Sequence, residues 1–328
     1  MNERGTHGTA IDRSGQDRGA TDEGLRALIR AVCDVGPRPH GAGGCARARR
    51  VLARALEDAG VAPYRGDDLE ARDPSGIVNL LGVVPGRERH RRPLVLASHY
   101  DGPPDSVGAG DNAAAAALVV ALAADLASLR LERDVIVALL DGGDLERPAS
   151  LAHGAEVFMR SQRRHDVKAA VLVDRIGHAV PARQGPGLLA VGVESEPRLP
   201  ALLDALSAAP LTIAPIARRR LGVAPAADAL RADDTPYLWI SAGRAPHHRG
   251  PDDRPEHLDD AALVATLDMV RTLVEALART RLPGPCGEHA IDEFERAAWD
   301  PWRRGERGDA HAAALRTALA RLDLTPPR

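Results

Sequence analysis

The chain has 328 residues, 44% of them hydrophobic, and its charged side chains nearly cancel to a net charge of -3. That composition excludes a chain disordered throughout and a uniformly basic surface for nucleic acid. With only 3 Trp, 3 Tyr and 2 Phe, stacking platforms for single-stranded nucleic acid are scarce, and the core has to be built from Ala, Val and Leu.

Residues 1–21 are polar and glycine-rich, without the apolar stretch of a secretory signal, and their composition predicts disorder. The cysteines Cys33, Cys45 and Cys286 have no C-x-x-C spacing and read as reduced thiols, so a cytoplasmic location is expected. No apolar stretch reaches about 18 uncharged residues; the best candidate, 113–124, reads as a core helix, so no membrane partner is expected.

From Asp22 the set Leu25, Leu28, Ile29 and Val32 has helical spacing, and "CARARRVLARALEDAG" predicts a second helix that Gly60 ends. "GIVNLLGVVPG" and "RPLVLASHYDG" read as two strands of a hairpin around the charged "GRERHRR". An alternation follows: helix 112–128, strand 134–140, helix 151–162, strands 169–174 and 187–193, helix 198–208, strand 237–241, helix 259–280. This order predicts an α/β domain over 22–281, with a mixed, largely parallel central sheet and helices on both faces. Residues 282–328 read as a Pro/Gly linker and a charged helical tail, an appendage through which a homo-oligomer would form.

In open α/β sheets, sites form at the C-terminal ends of the strands. Here those ends carry acids and histidines: "ASHYDG", "LLDGGD", "LVDRIG" and "WISAGRAPHH". In "SHYDGPPDSVGAGDN" an imidazole at His99 is a good zinc ligand, Asp101 stands where it can orient that ring, and Asp111 has two oxygens with which to bridge two cations. Alone, the pair His99-x-Asp101 is as readily a surface or capping arrangement, and Asp111 as readily a helix cap. Asp144 after the next strand, Asp174 after the one beyond and the histidines past Trp239 add further donors at the same edge.

In that order (H-x-D, G-x-x-D-N, an acidic D-G loop, a strand-ending Asp, a His ahead of further acids) the chain resembles the M28 family of zinc aminopeptidases and their relatives, the glutaminyl cyclases. The resemblance implies a zinc aminopeptidase-like fold and one or two zinc ions. His99, Asp111 and Asp174 would hold one ion and Asp111, Asp144 and His248 a second, with His247 as the alternative to His248. Asp101 would steer His99. The substrate implied is a small peptide or amino-acyl amide.

The pattern breaks in "LLDGGDLERP". Where the family reads D-G-E-E, its first Glu being the base that deprotonates the attacking water, this chain has Gly143, and the second Glu is Asp144. Glycine accepts no proton; Glu146, as readily a solvated loop acid, is one substitute base that the sequence offers, Asp144 is another, which would leave His99, Asp111 and Asp174 with a single ion, and restoring Glu at 143 suggests itself as a repair. A positioned base contributes on the order of 10² to 10⁴-fold, so its loss leaves a hydrolase slowed rather than abolished. The alternatives are a cyclase-like, amide-forming enzyme and an inactive binding homologue.

Overall fold

The computed structural model describes residues 13–144, 153–182, 185–206, 212–218 and 225–282. Helix α1 (Arg13–Cys33) and helix α2 (Gly43–Asp58) come first. Helix α1 reaches back beyond Asp22, so the segment expected to be disordered over 1–21 is partly helical; residues 1–12 lie outside the described part. Gly60 ends α2 as expected: it has φ +73, and the N–H groups of Gly60 and Val61 return to the carbonyls of Glu57 and Leu56.

The strands are β1 (Ala62–Pro63), β2 (Glu70–Arg72), β3 (Val78–Val84), β4 (Leu94–His99), β5 (Val135–Leu140), β6 (Ala169–Asp174), β7 (Val180–Ala182), β8 (Gly185–Val191), β9 (Thr212–Ile216) and β10 (Tyr237–Ser241). Between them run α3 (Ala114–Leu129), α4 (Gly154–Ser161), α5 (Leu199–Leu206) and α6 (Pro225–Ala232), and α7 (Asp260–Arg279) follows. One mixed sheet has the order β1-β3-β5-β4-β6-β10-β8-β7, with β2 on β3 and β9 on β8. Its centre, β5-β4-β6-β10, is parallel, and β3 and β8 flank that centre antiparallel.

The hairpin expected between β3 and β4 does not form, because β5 lies between them and pairs with both. The connecting loop shows why: the N–H groups of Arg87 and Glu88 bond the carbonyls of Leu131 and Glu132, and that of Gly86 bonds Asp134 Oδ1. The loop is satisfied by the segment entering β5 rather than by closing on itself. All six residues of β5, "VIVALL", are buried, which suits a strand with a partner on each side.

Alternation along the strands makes two cores. Leu80, Leu96, Val137 and Val171 pack in the one built with α1, α2, α3, α5 and α7, while Leu81, Val95, Ile136 and Leu172 pack in the one built with α4 and α6. The span Ala109–Leu129 is long and apolar enough to cross a membrane by length and composition, with a mean hydropathy of 1.8. In this fold it holds the middle of the larger core, where Ala114 to Val120 are all buried. Below the sheet, Lys168 Nζ donates to the carbonyls of Leu277, Ala278 and Thr280, tying the end of α7 to the start of β6.

Candidate metal centre

Sheet register builds the first part of the site. The parallel pair β4 and β6 aligns Ala97 with Leu172, and two residues further on each strand come His99 and Asp174, side by side on the α4/α6 face. Across the same line β5 places Leu140 beside His99 and β10 places Ser241 beside Asp174. His99 Nε2 lies 3.2 Å from Asp174 Oδ1 and 3.8 Å from Asp111 Oδ1.

Asp111 arrives from the turn before α3. That helix begins at Ala114 rather than at 112, because Asp111 and Asn112 have non-helical backbones (φ -121 and -142), and the peptide between them is cis. Asn112 pins the neighbouring strand ends: its Oδ1 accepts the N–H of Arg175, and its Nδ2 donates to Ser98 Oγ and to the His99 carbonyl. Buried Asp253 accepts the N–H groups of Gly110 (2.6 Å) and Asp111 (3.2 Å). Buried Arg38 reaches across from the segment before α2 and donates to the carbonyls of Tyr100, Val107 and Gly108.

Asp101 stands behind His99, with Oδ1 at 3.1 Å from Nδ1. The same carboxylate accepts the N–H groups of Gly143 (2.8 Å) and Asp144 (3.2 Å), so one buried acid fixes both the imidazole and the loop after β5. That loop lies directly on His99: a Cβ at Gly143 would fall 2.3 Å from His99 Cβ. No side chain fits at 143 with the backbone in this place. Glu146, the substitute base suggested by the sequence, lies outside the described residues, as does the tail from 283 onward.

The electrostatics follow from burial and these partners. Burial disfavours the His99 imidazolium, yet Asp101 and Asp174 hold its pKa well above the ordinary value. Burial pushes the Asp111 carboxyl up to about 6, with His99 pulling against it and Asp174 adding to it. Burial opposes ionisation of Asp174, but Arg175 and His99 hold it below the usual carboxylate range. His248 is lowered to about 3, first by burial and then by Arg175, Arg244 and Arg249, so its imidazole is neutral, as a ligand must be.

Donor atoms of His99, Asp111 and Asp174 lie within 4.8 Å of one another. Ligands about 2.0–2.1 Å from a tetrahedral zinc stand about 3.4 Å apart, so this triangle fits one ion. The other expected set does not close in the same way. His248 Nδ1 comes to 3.7 Å from Asp111 Oδ2, but Asp144 Oδ1 takes Arg249 Nη1 at 2.6 Å. The ring of His247 lies 5.6 Å from that of His257.

Several residues that line this site escaped the sequence reading. Arg175 and Arg249 each follow a predicted donor directly, and Arg244 sits in the same strand-end segment, a signal that would have been visible had counter-charges been sought along with ligands. His153, unassigned from spacing, is buried at the start of α4. Its Nδ1 lies 2.7 Å from the Gly142 carbonyl, and its Nε2 is buried with no hydrogen-bond partner among the described residues. His99 and His153 border a cavity of about 50 Å³ whose walls include Leu140, Leu172 and Trp239.

Solved structures share this architecture. The chain is similar to a glutaminyl cyclase from Tannerella forsythia (15% identity, TM-score 0.63, covering 77% of this chain and 98% of that one). It is similar to a Zn-dependent exopeptidase from Parabacteroides distasonis (13%, TM-score 0.63, 77% and 97%) and to a leucine aminopeptidase precursor from Bacteroides thetaiotaomicron (16%, TM-score 0.63, 79% and 97%). No curated protein matches the chain. Residues 79–274, which run from β3 into α7 and contain each donor described above, match the model of peptidase family M28, and the chain belongs to that family.

Proposed function

We propose that the protein is a zinc-dependent enzyme of the aminopeptidase type that hydrolyses an amino-acyl amide or small peptide using one ion. The observation that carries this reading is the triangle of His99, Asp111 and Asp174 at the edge of a mostly apolar cavity. A zinc ion held there supplies a Lewis acid for a carbonyl oxygen. Leu140, Leu172 and Trp239 receive an apolar side chain of the substrate and exclude water around it. Asp101 keeps His99 in the orientation in which Nε2 faces the two aspartates. With no side chain at 143, the proton acceptor in this reading is His153, which borders the same cavity as His99.

The test is release of amino acid from leucine amide and leucine p-nitroanilide by protein purified without chelator. Turnover that disappears with chelator and returns with zinc is the expected result; a chain with neither zinc nor turnover is an inactive homologue. His153→Gln is expected to lower kcat by about 10² to 10⁴-fold with zinc content unchanged, and Glu146→Gln to leave it near wild type.

A second reading is ring-forming aminolysis, as in a glutaminyl cyclase. It is favoured by the one-ion donor set together with the missing side chain at 143, because attack by an amine within the substrate needs no activated water. The product's mass separates the two: cyclisation of a glutaminyl peptide loses ammonia, and hydrolysis of an amide gains water.

A further inference from the structure

The recess above Asp111 is lined by three carboxylates, Asp111, Asp144 and Asp174, and by three guanidinium groups, Arg175, Arg244 and Arg249. Each carboxylate is already engaged. Asp174 turns Oδ1 to His99 and Oδ2 to Arg175 Nε at 2.9 Å. Asp111 turns Oδ1 to His99, while its Oδ2 stands 3.7 Å from His248 Nδ1 and 3.8 Å from Arg249 Nη1. Asp144 Oδ1 is held by that same Nη1 at 2.6 Å.

A divalent ion bridged by Asp111 and also held by Asp144 would have to occupy the space between Asp111 Oδ2 and Asp144 Oδ1. One nitrogen of Arg249 already stands there, hydrogen-bonded to Asp144 Oδ1 at 2.6 Å and 3.8 Å from Asp111 Oδ2, close enough for charge attraction. A guanidinium cannot release its proton, so it remains a cation whatever the pH and does the electrostatic work of joining the two acids without being exchangeable. Bringing a metal to the same place would set two like charges against each other in a buried recess.

We propose that Arg249 is a built-in replacement for a second divalent cation, linking Asp144 to Asp111 and limiting the centre to one ion, on His99, Asp111 and Asp174. This rests on the one-zinc reading above, and the test separates the two. Zinc bound per chain is measured after dialysis, with cobalt(II) titration followed by absorption as an independent count, for the wild type, Arg249→Ala and Arg249→Ala/Asp144→Asn.

The expected counts are one ion in the wild type, two in Arg249→Ala and one again in the double variant. Asp144→Asn alone is expected to keep its single ion. Two ions in the wild type overturn the proposal, as does a single ion in a folded Arg249→Ala. No ion in any of the proteins overturns the zinc reading itself and the proposal with it. If Arg249→Ala does not fold, Arg249→Met, which keeps the aliphatic stem, is counted in its place and judged in the same way.

Discussion

The two sides of the carboxylate cluster are built differently. His99 and Asp174 end β4 and β6, where the pairing that buries Ala97 beside Leu172 also sets their separation. Asp144 and His248 lie in the loops after β5 and β10, beyond the ladder, and there a guanidinium stands between the acids. A ligand held by sheet register moves only if the core moves with it. A ligand on a loop can be re-partnered by one substitution nearby, so the loop side is the less constrained of the two.

The strongest way to break this comparison is to remove donors from each side. His99→Ala or Asp174→Ala is expected to leave the chain without zinc after dialysis, whereas Asp144→Ala keeps it; equal losses would erase the distinction. Next is Gly143→Ala. Its Cβ would meet His99 Cβ at 2.3 Å, so either the loop or the imidazole shifts. A stability loss of about 1–3 kcal/mol is expected in denaturant titration, together with weaker zinc binding. Gly143→Glu carries the same Cβ, so it is expected to damage the site and not to repair it.

Acidity sharpens the comparison further. Between about 3.8 and about 6 the folded, zinc-free chain keeps a proton on Asp111 that the unfolded chain has released, so its stability falls as pH rises through that window. Zinc must displace that proton and also the one on His99, whose pKa is held well above the ordinary value, so in calorimetry zinc affinity should rise by about tenfold or more per pH unit below about 6 and go on rising above it. An affinity whose slope does not steepen below about 6 would mean that Asp111 is not a ligand. The smallest effect concerns Asp253, which holds two N–H groups of the turn carrying Asp111. Asp253→Asn leaves one of them without an acceptor, and a loss of about 1 kcal/mol is expected in thermal unfolding.

The strand-borne side was legible because its signals are local and ordered: an apolar run ending in His99, another ending in Asp174, and "GDN" before an alanine-rich helix. Strands β6 and β10 have the bounds that the pattern predicts. The β3/β4 hairpin was misread because adjacency in sequence says nothing of a third strand arriving later to take the place between them. Strands β1, β2, β7 and β9 and helix α6 are short, and several contain proline, so no period had room to show. The Gly143–His99 contact and the Arg249 bridge join residues tens of positions apart, and no spacing rule encodes them.

Arg38 has a practical consequence. The stretch matching the family begins at residue 79, yet the backbone leading out of β4 toward Asp111 is laced to a guanidinium forty residues upstream of that boundary. Trimming the protein to its matched region would remove the Arg38 donor from three inward-facing carbonyls, of which that of Gly108 keeps the N–H of Ala113. The smallest portion able to assemble this centre therefore includes Arg38, and because Leu25, Ile29 and Val32 of α1 pack in the same core as α3, expression fragments should be cut ahead of α1 rather than at the edge of the sheet.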